Sequence, residues 1–162
     1  MGSMGQAGLR LSESARAASA HESRFRIDAP IAPARTARIV ALDDRAAGVA
    51  HRLAARRWAG ARFYTAVSTE TLHRLDGTPV PLDGVIARTD VVVVLATEDR
   101  GHRVAAAIGA VCRRRGITTA GVVLGEGYEA GEAVAALRPY ARVLLLSADE
   151  SDAVELLTAL RV

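Results

Sequence analysis

Polar side chains that could bind a ligand follow three apolar segments of this chain. Carboxylate oxygens at neighbouring strand ends suit a divalent cation such as Mg²⁺, and a histidine near carboxylates can act with them as an acid–base pair. The candidate ligand-binding residues are Asp43, Asp44, Ser68, Thr69, Thr97, Glu98, Asp99, Gly101 and His102. The pattern assigns no catalytic residue and leaves the identity of any metal unknown.

A structural role would explain the same residues. Acids and hydroxyls are also the side chains that cap helices and fill their first turns, and a loop histidine is usually solvated. The sequence has no Ser-His-Asp order and no Cys-His pair that would indicate nucleophilic catalysis. We therefore favour a protein that is not an enzyme.

Five short apolar runs, each bounded by polar residues or glycine, predict buried strands. They lie at 38–42, 62–67, 90–95, 118–124 and 142–146, and the third, with four consecutive valines, indicates a central strand. A short helix is expected over 68–75 and a loop with two prolines over 77–83.

Helical patterns separate the runs. One helix is expected from Arg45 to Trp58, and another places Val104, Ile108, Val111 and Cys112 on its core face. The last helix would follow a capping-box spacing from Ser147 to Glu150 and bury Ala153, Leu156, Leu157 and Leu160. Alternating strands and helices predict one doubly wound, mostly parallel, Rossmann-like α/β sheet of about five strands with helices on both faces.

Phosphate binding at the strand ends requires glycines, because backbone amides reach a phosphate only where side chains are absent. The loop at 43–48 has a single glycine and two carboxylates, and the loop at 97–103 has one glycine. Unpaired carboxylates beside a phosphate cost on the order of several kcal/mol. The loops therefore predict no cofactor and do not support GTP or Mg²⁺.

The composition excludes further chemistry. The chain has 162 residues and 21 basic side chains, all of them arginine, so mechanisms that need a lysine are ruled out. The net charge is +3, and no basic stripe with interleaved aromatic residues argues for nucleic acid. Cys112 is the only cysteine, which excludes an internal disulfide and predicts a buried, inert thiol. No apolar run approaches the ~20 residues of a membrane span, so we expect a cytoplasmic protein.

Residues 1–35 lack a periodic apolar pattern and are expected to form a flexible N-terminal arm before the α/β domain at 36–162. Residues 1–3 look like a cloning remnant, and a short helix over Ser14–His21 is an option. The arm, which carries five arginines, is a candidate docking segment for a protein partner.

Several segments carry a family resemblance. They are RIVALDDRAAGVAHRL at 38–53, GARFYTAVSTETL at 60–72, the segment at 90–124 with its closest stretch AVCRRRGITTAGVV at 110–123, and AVAALRPYARVLLLS at 133–147. In this order they resemble the nucleotide-binding half of the FtsZ/tubulin family. That family binds GTP through glycine-rich loops. The corresponding segments of this chain are Asp43–Gly48 and Thr97–Arg103, each with a single glycine. The family's catalytic acidic loop and second domain have no counterpart, so the resemblance implies a degenerate, truncated domain without GTP hydrolysis.

A second resemblance is weaker. Ile39–Asp44 also looks like the start of a response-regulator receiver domain, in which paired acids bind Mg²⁺. The phosphorylated aspartate of receivers should close the third strand, where this chain has Leu95-Ala96-Thr97, and their lysine is missing. This resemblance implies at most a pseudo-receiver.

We therefore expect a non-catalytic FtsZ-like domain that acts as a protein-interaction or assembly component. The alternatives are a small-ligand or divalent-metal-binding α/β domain and a subunit of a larger enzyme whose active site needs a partner. Assembly of the chain into a homo-oligomer is a further open alternative.

Overall fold

The computed structural model describes residues 33–126 and 129–162. The expected flexible arm and the optional helix over Ser14–His21 lie outside these residues, apart from positions 33–35. None of the helices in the described ranges is long and apolar enough to cross a membrane.

Seven strands form one sheet in the spatial order β4-β3-β2-β1-β5-β6-β7. Their bounds are β1 Ala37–Ala41, β2 Ala61–Ala66, β3 Thr71–Arg74, β4 Pro79–Pro81, β5 Val91–Ala96, β6 Thr118–Leu124 and β7 Ala141–Ala148. The five predicted strands are β1, β2, β5, β6 and β7, and these are mutually parallel. The predicted doubly wound α/β fold is thus confirmed, with two more strands than expected.

Helices cover both faces of the sheet. They are α1 Asp44–Ala54, α2 Leu82–Ile86, α3 His102–Arg115, α4 Gly131–Leu137 and α5 Glu150–Ala159. Helices α1 and α5 pack against one face, and α2, α3 and α4 pack against the other. The central strand β5 is buried along its whole length, which explains its unbroken run of apolar residues.

The expected short helix over 68–75 is wrong, because this segment turns back into strand β3, which pairs antiparallel with β2. The Ser68 Oγ accepts hydrogen bonds from the backbone N–H groups of Glu70 and Thr71 at 3.2 and 3.0 Å, and this tightens the turn. The dipeptide Asp76-Gly77 then connects β3 to β4, with Gly77 at φ +90°. An Asp-Gly pair is a strong hairpin signal, and the loop expected over 77–83 accordingly contains β4 and the start of α2.

The start of α5 also differs from its expected position. The N-cap is Asp149, whose side chain accepts from the N–H of Asp152, and the Asp152 side chain accepts in return from the N–H of Asp149. Ser147 cannot serve as the cap because it lies inside β7. Of the four residues expected to be buried, Ala153, Leu156 and Leu157 are buried and Leu160 is half-buried.

Cys112 lies on the buried face of α3, as the helical spacing predicted. Burial raises the pKa of the Cys112 thiol, and a hydrogen bond with Thr119 partly opposes this rise. A thiol held protonated and away from solvent is a poor nucleophile.

We expect Cys112 to react with a thiol reagent such as DTNB on the order of a hundredfold more slowly in the folded chain than in the unfolded chain. Because the pKa of the thiol is raised in the folded state, ionisation of Cys112 favours the unfolded chain. The free energy of unfolding is therefore unaffected by this group below the ordinary thiol pKa and decreases as the pH rises above it. Labelling rates with and without denaturant check the first expectation. Equal rates would contradict a buried thiol.

Candidate functional site

The candidate site lies where the winding of the sheet changes direction. Strand β1 pairs with β2 on one side and with β5 on the other, so the chain leaves β1 and β5 towards opposite edges. When only the five parallel strands are numbered, from 1 to 5 along the chain, they lie side by side in the order 2-1-3-4-5. This is one of the two common strand orders of doubly wound sheets. Ligands of such sheets bind beyond the carboxyl ends of the strands at this point.

The buried carboxylate of Asp43 occupies this point. Its Oδ1 accepts from the N–H of Ala46 at 2.9 Å and from the Thr97 hydroxyl at 2.6 Å. Its Oδ2 accepts from the N–H groups of Thr97 at 2.7 Å and Glu98 at 3.2 Å. Asp43 is 5% exposed. One side chain therefore caps helix α1 and also holds the loop that follows β5.

These contacts use backbone amides beyond the ends of β1 and β5. Amide groups at a helix start and in the loop after a strand are the groups that would hold a ligand phosphate in this type of fold. Here the amides of Ala46, Thr97 and Glu98 already donate to a carboxylate of the chain itself. A phosphate would have to displace Asp43 and then lie beside its negative charge.

The loop after β5 also closes over the end of β1. Gly101 has φ +82°, and a Cβ at this position would lie 2.8 Å from the carbonyl oxygen of Leu42. Only glycine permits both the backbone conformation and this close approach. Gly101 therefore allows the loop after β5 to pack closely against the end of β1.

A shallow cleft of about 230 Å³ remains between the carboxyl ends of β1 and β2. Asp43 and Asp44 line it together with Thr65, His73 and Arg100, three residues that the sequence pattern did not indicate. Thr65 and His73 stand opposite each other in the register of β2 and β3. The sequence could not indicate this pairing because a helix was expected over 68–75. Arg100 lies 3.5 Å from the exposed Asp44 carboxylate.

Asp99 and His102 contact helix α4. The Asp99 Oδ1 accepts from the N–H groups of Glu132 and Ala133 at 2.7 and 3.2 Å, and so caps a helix that has no capping side chain of its own. The His102 Nδ1 lies 3.0 Å from the backbone oxygen of Asp99, and its Nε2 lies 3.6 Å from the Glu132 carboxylate. The His102 imidazole thus lies beside the Glu132 carboxylate on the first turn of α4.

Ser68 and Thr69 do not line the cleft. Ser68 forms the turn described above, and Thr69 lines a separate groove of about 350 Å³ that also includes Glu70 and Arg114. The nine candidate residues are therefore divided among the Asp43 contacts, the cap of α4, the cleft, this groove, the turn formed by Ser68 and the packing of Gly101 against Leu42. Within the described ranges, no group of three or more His, Cys, Asp or Glu side chains is placed to hold a metal ion.

Comparison with known proteins identifies no relative. No protein-family model, no curated protein and no solved structure matches this chain. Many unrelated functions share the doubly wound fold, so the fold by itself assigns no activity.

Proposed function

We propose that this chain is a non-catalytic, FtsZ-like α/β domain that works by binding another protein. The observation that carries the proposal is the set of four hydrogen bonds to Asp43, three of which come from amides that a nucleotide-binding relative would offer to phosphate. A domain that keeps the scaffold and fills its phosphate site with its own carboxylate has lost the basis for GTP hydrolysis.

The two edges of the sheet differ in a way that supports protein binding. At one edge, β4 has only three residues and two of them are prolines, which blocks further strand pairing. At the other edge, β7 has eight residues and pairs only with β6 among the described strands. Its Val143 and Leu146 side chains are 37% and 50% exposed.

The occupant that best fits the β7 edge is an extended apolar segment of a partner protein. Such a segment can add a strand, in which main-chain hydrogen bonds give affinity and alternate side chains give specificity. The pairing of β7 with β6 is regular over 143–145, so this part of the edge has strand geometry. Val143 and Leu146 would lose solvent-exposed apolar surface on binding.

Site-specific photocrosslinking in cells tests the proposal. A crosslinking residue at position 146 is expected to capture a defined partner, and one at the exposed Arg56, just beyond the end of α1, is not. The substitution Val143→Lys in the same chain is expected to reduce capture at 146, because a charge would have to be buried in the new strand pair.

Identical captures at 146 and 56 would contradict binding at the edge. A third outcome combines two results: position 146 captures no partner, and deletion of residues 1–35 abolishes binding of every partner. This outcome would assign partner binding to the N-terminal segment. GTP turnover by the purified chain would overturn the proposal as a whole.

A further inference from the structure

A cluster of basic side chains lines a pocket at the opposite end of the strands from Asp43. Arg38 lies on β1, Arg62 and Tyr64 lie on β2, and Arg74 lies on β3. Arg38 is directly opposite Arg62, and Tyr64 is directly opposite Arg74 in the strand register. Opposed residues share a face of the sheet, so the three guanidinium groups and the phenol point to the same side.

The pocket has a defined shape. Its volume is about 210 Å³, and Pro81, Gly84 and Val85 from β4 and α2 complete its wall. Arg38 is half-buried, and its Nε and Nη1 each donate at 3.2 Å to the backbone oxygens of Val85 and Ala37 respectively. These contacts hold the Arg38 guanidinium in place without neutralising its charge.

The arginines of this pocket form no ion pair with a carboxylate in the part of the chain that the structure describes. Among the described residues, no carboxylate lies within 4.0 Å of a guanidinium nitrogen of Arg38, Arg62 or Arg74. Burial lowers the pKa of Arg38; the nearby Tyr64 opposes this shift and the charge of Arg62 adds to it. Asp76, on the β3–β4 turn, accepts from the N–H of Thr78 at 2.9 Å. Hydrogen bonds with Thr78 lower the pKa of the Asp76 carboxyl, and the nearby charge of Arg74 adds to this shift.

We propose that this pocket binds the phosphate dianion of a small phosphorylated ligand. Like charges on neighbouring strands repel one another and destabilise a sheet. A bound dianion would attract all three guanidinium groups and so offset this repulsion. The planar fork of a guanidinium matches two phosphate oxygens at once. The Tyr64 hydroxyl, which makes no hydrogen bond to the described residues, can add a further donor.

The size of the pocket limits the ligand. Sites for whole drug-sized molecules measure about 300–1,000 Å³, so a pocket of about 210 Å³ holds a phosphate group while the rest of the ligand extends into solvent. The pocket lies at the amino ends of β1 and β2, away from the Asp43 site. The inference therefore stands independently of the proposed protein-binding function.

An NMR titration of the full chain tests the inference. Inorganic phosphate and glycerol phosphate are added separately at constant ionic strength, with chloride as the exchanged anion. We expect saturable shifts at residues 38, 62 and 74. Arg62→Gln and Arg74→Gln, both at exposed positions, are expected to weaken binding about tenfold each, since each removes a charge-assisted hydrogen bond.

The control is Arg57→Gln, which removes an exposed arginine just beyond the end of α1. It should bind both probes as the parent chain does. Tighter binding of glycerol phosphate would identify a phosphate ester as the ligand, and tighter binding of inorganic phosphate would identify the free ion. Affinities within twofold of the parent in Arg62→Gln and Arg74→Gln, or an equal loss in Arg57→Gln, would overturn the proposal.

Discussion

Asp43→Ala is expected to lower the free energy of unfolding by about 3–5 kcal/mol. The substitution removes the acceptor of four hydrogen bonds, leaves three backbone N–H groups and one hydroxyl without their partner, and removes the cap of α1. A buried donor left unsatisfied costs about 1–3 kcal/mol, and loss of an N-cap costs about 1 kcal/mol. Water entering the site would offset part of the sum. Chemical denaturation of both chains measures the difference.

The neighbouring Asp44 provides the matched control. Its side chain is 96% exposed, and its ion pair with Arg100 spans 3.5 Å. Asp44→Ala should therefore change the free energy of unfolding by no more than about 0.5 kcal/mol. Asp43→Asn should fall between the two, because the amide keeps one accepting oxygen. Equal stability of Asp43→Ala and Asp44→Ala would contradict the role assigned to Asp43.

Gly101→Ala is expected to cost about 2–4 kcal/mol. Alanine at φ +82° incurs about 1–2 kcal/mol of backbone strain, and its Cβ would meet the backbone oxygen of Leu42 at 2.8 Å. The loop after β5 would have to shift, and with it the amides of Thr97 and Glu98 that hold Asp43. The midpoint and slope of denaturant unfolding check this value.

Gly116→Ala at the other end of α3 separates the two contributions. Gly116 also has positive φ, at +68°, but a Cβ there would have no heavy atom within 4 Å. This variant should lose only the conformational part, about 1 kcal/mol. Equal free energies of unfolding for Gly101→Ala and Gly116→Ala would contradict a contribution from the close approach of the loop to β1.

The parallel part of the fold could be predicted from the sequence because burial on both faces leaves continuous apolar runs. Val91–Ala96 is the clearest case, and the spacing of Ile108 and Cys112 located the buried face of α3 equally well. The hairpin of β3 and β4 was missed because its strands have only four and three residues. Leu72 is the single fully buried residue of β3, too little for an alternating pattern.

The candidate site could be predicted only in part. The positions of Asp43 and Thr97 at strand ends followed from the apolar runs, yet their mutual contact spans 54 residues of sequence and depends on the pairing of β1 with β5. The capping of α4 by Asp99 spans 33 residues and leaves no local signal. The arginine pocket joins three strands, so its residues look like unrelated surface positions until the sheet order is known.

The proposed function rests on the claim that Asp43 occupies the position that a nucleotide phosphate would take. Titrating the isotope-labelled chain with GTP and Mg²⁺, while following the amide resonances of Ala46, Thr97 and Glu98, tests it most directly. The hydrogen bonds to Asp43 predict that these three resonances stay in place up to millimolar GTP. Saturable shifts of the same three resonances at micromolar GTP would contradict the claim.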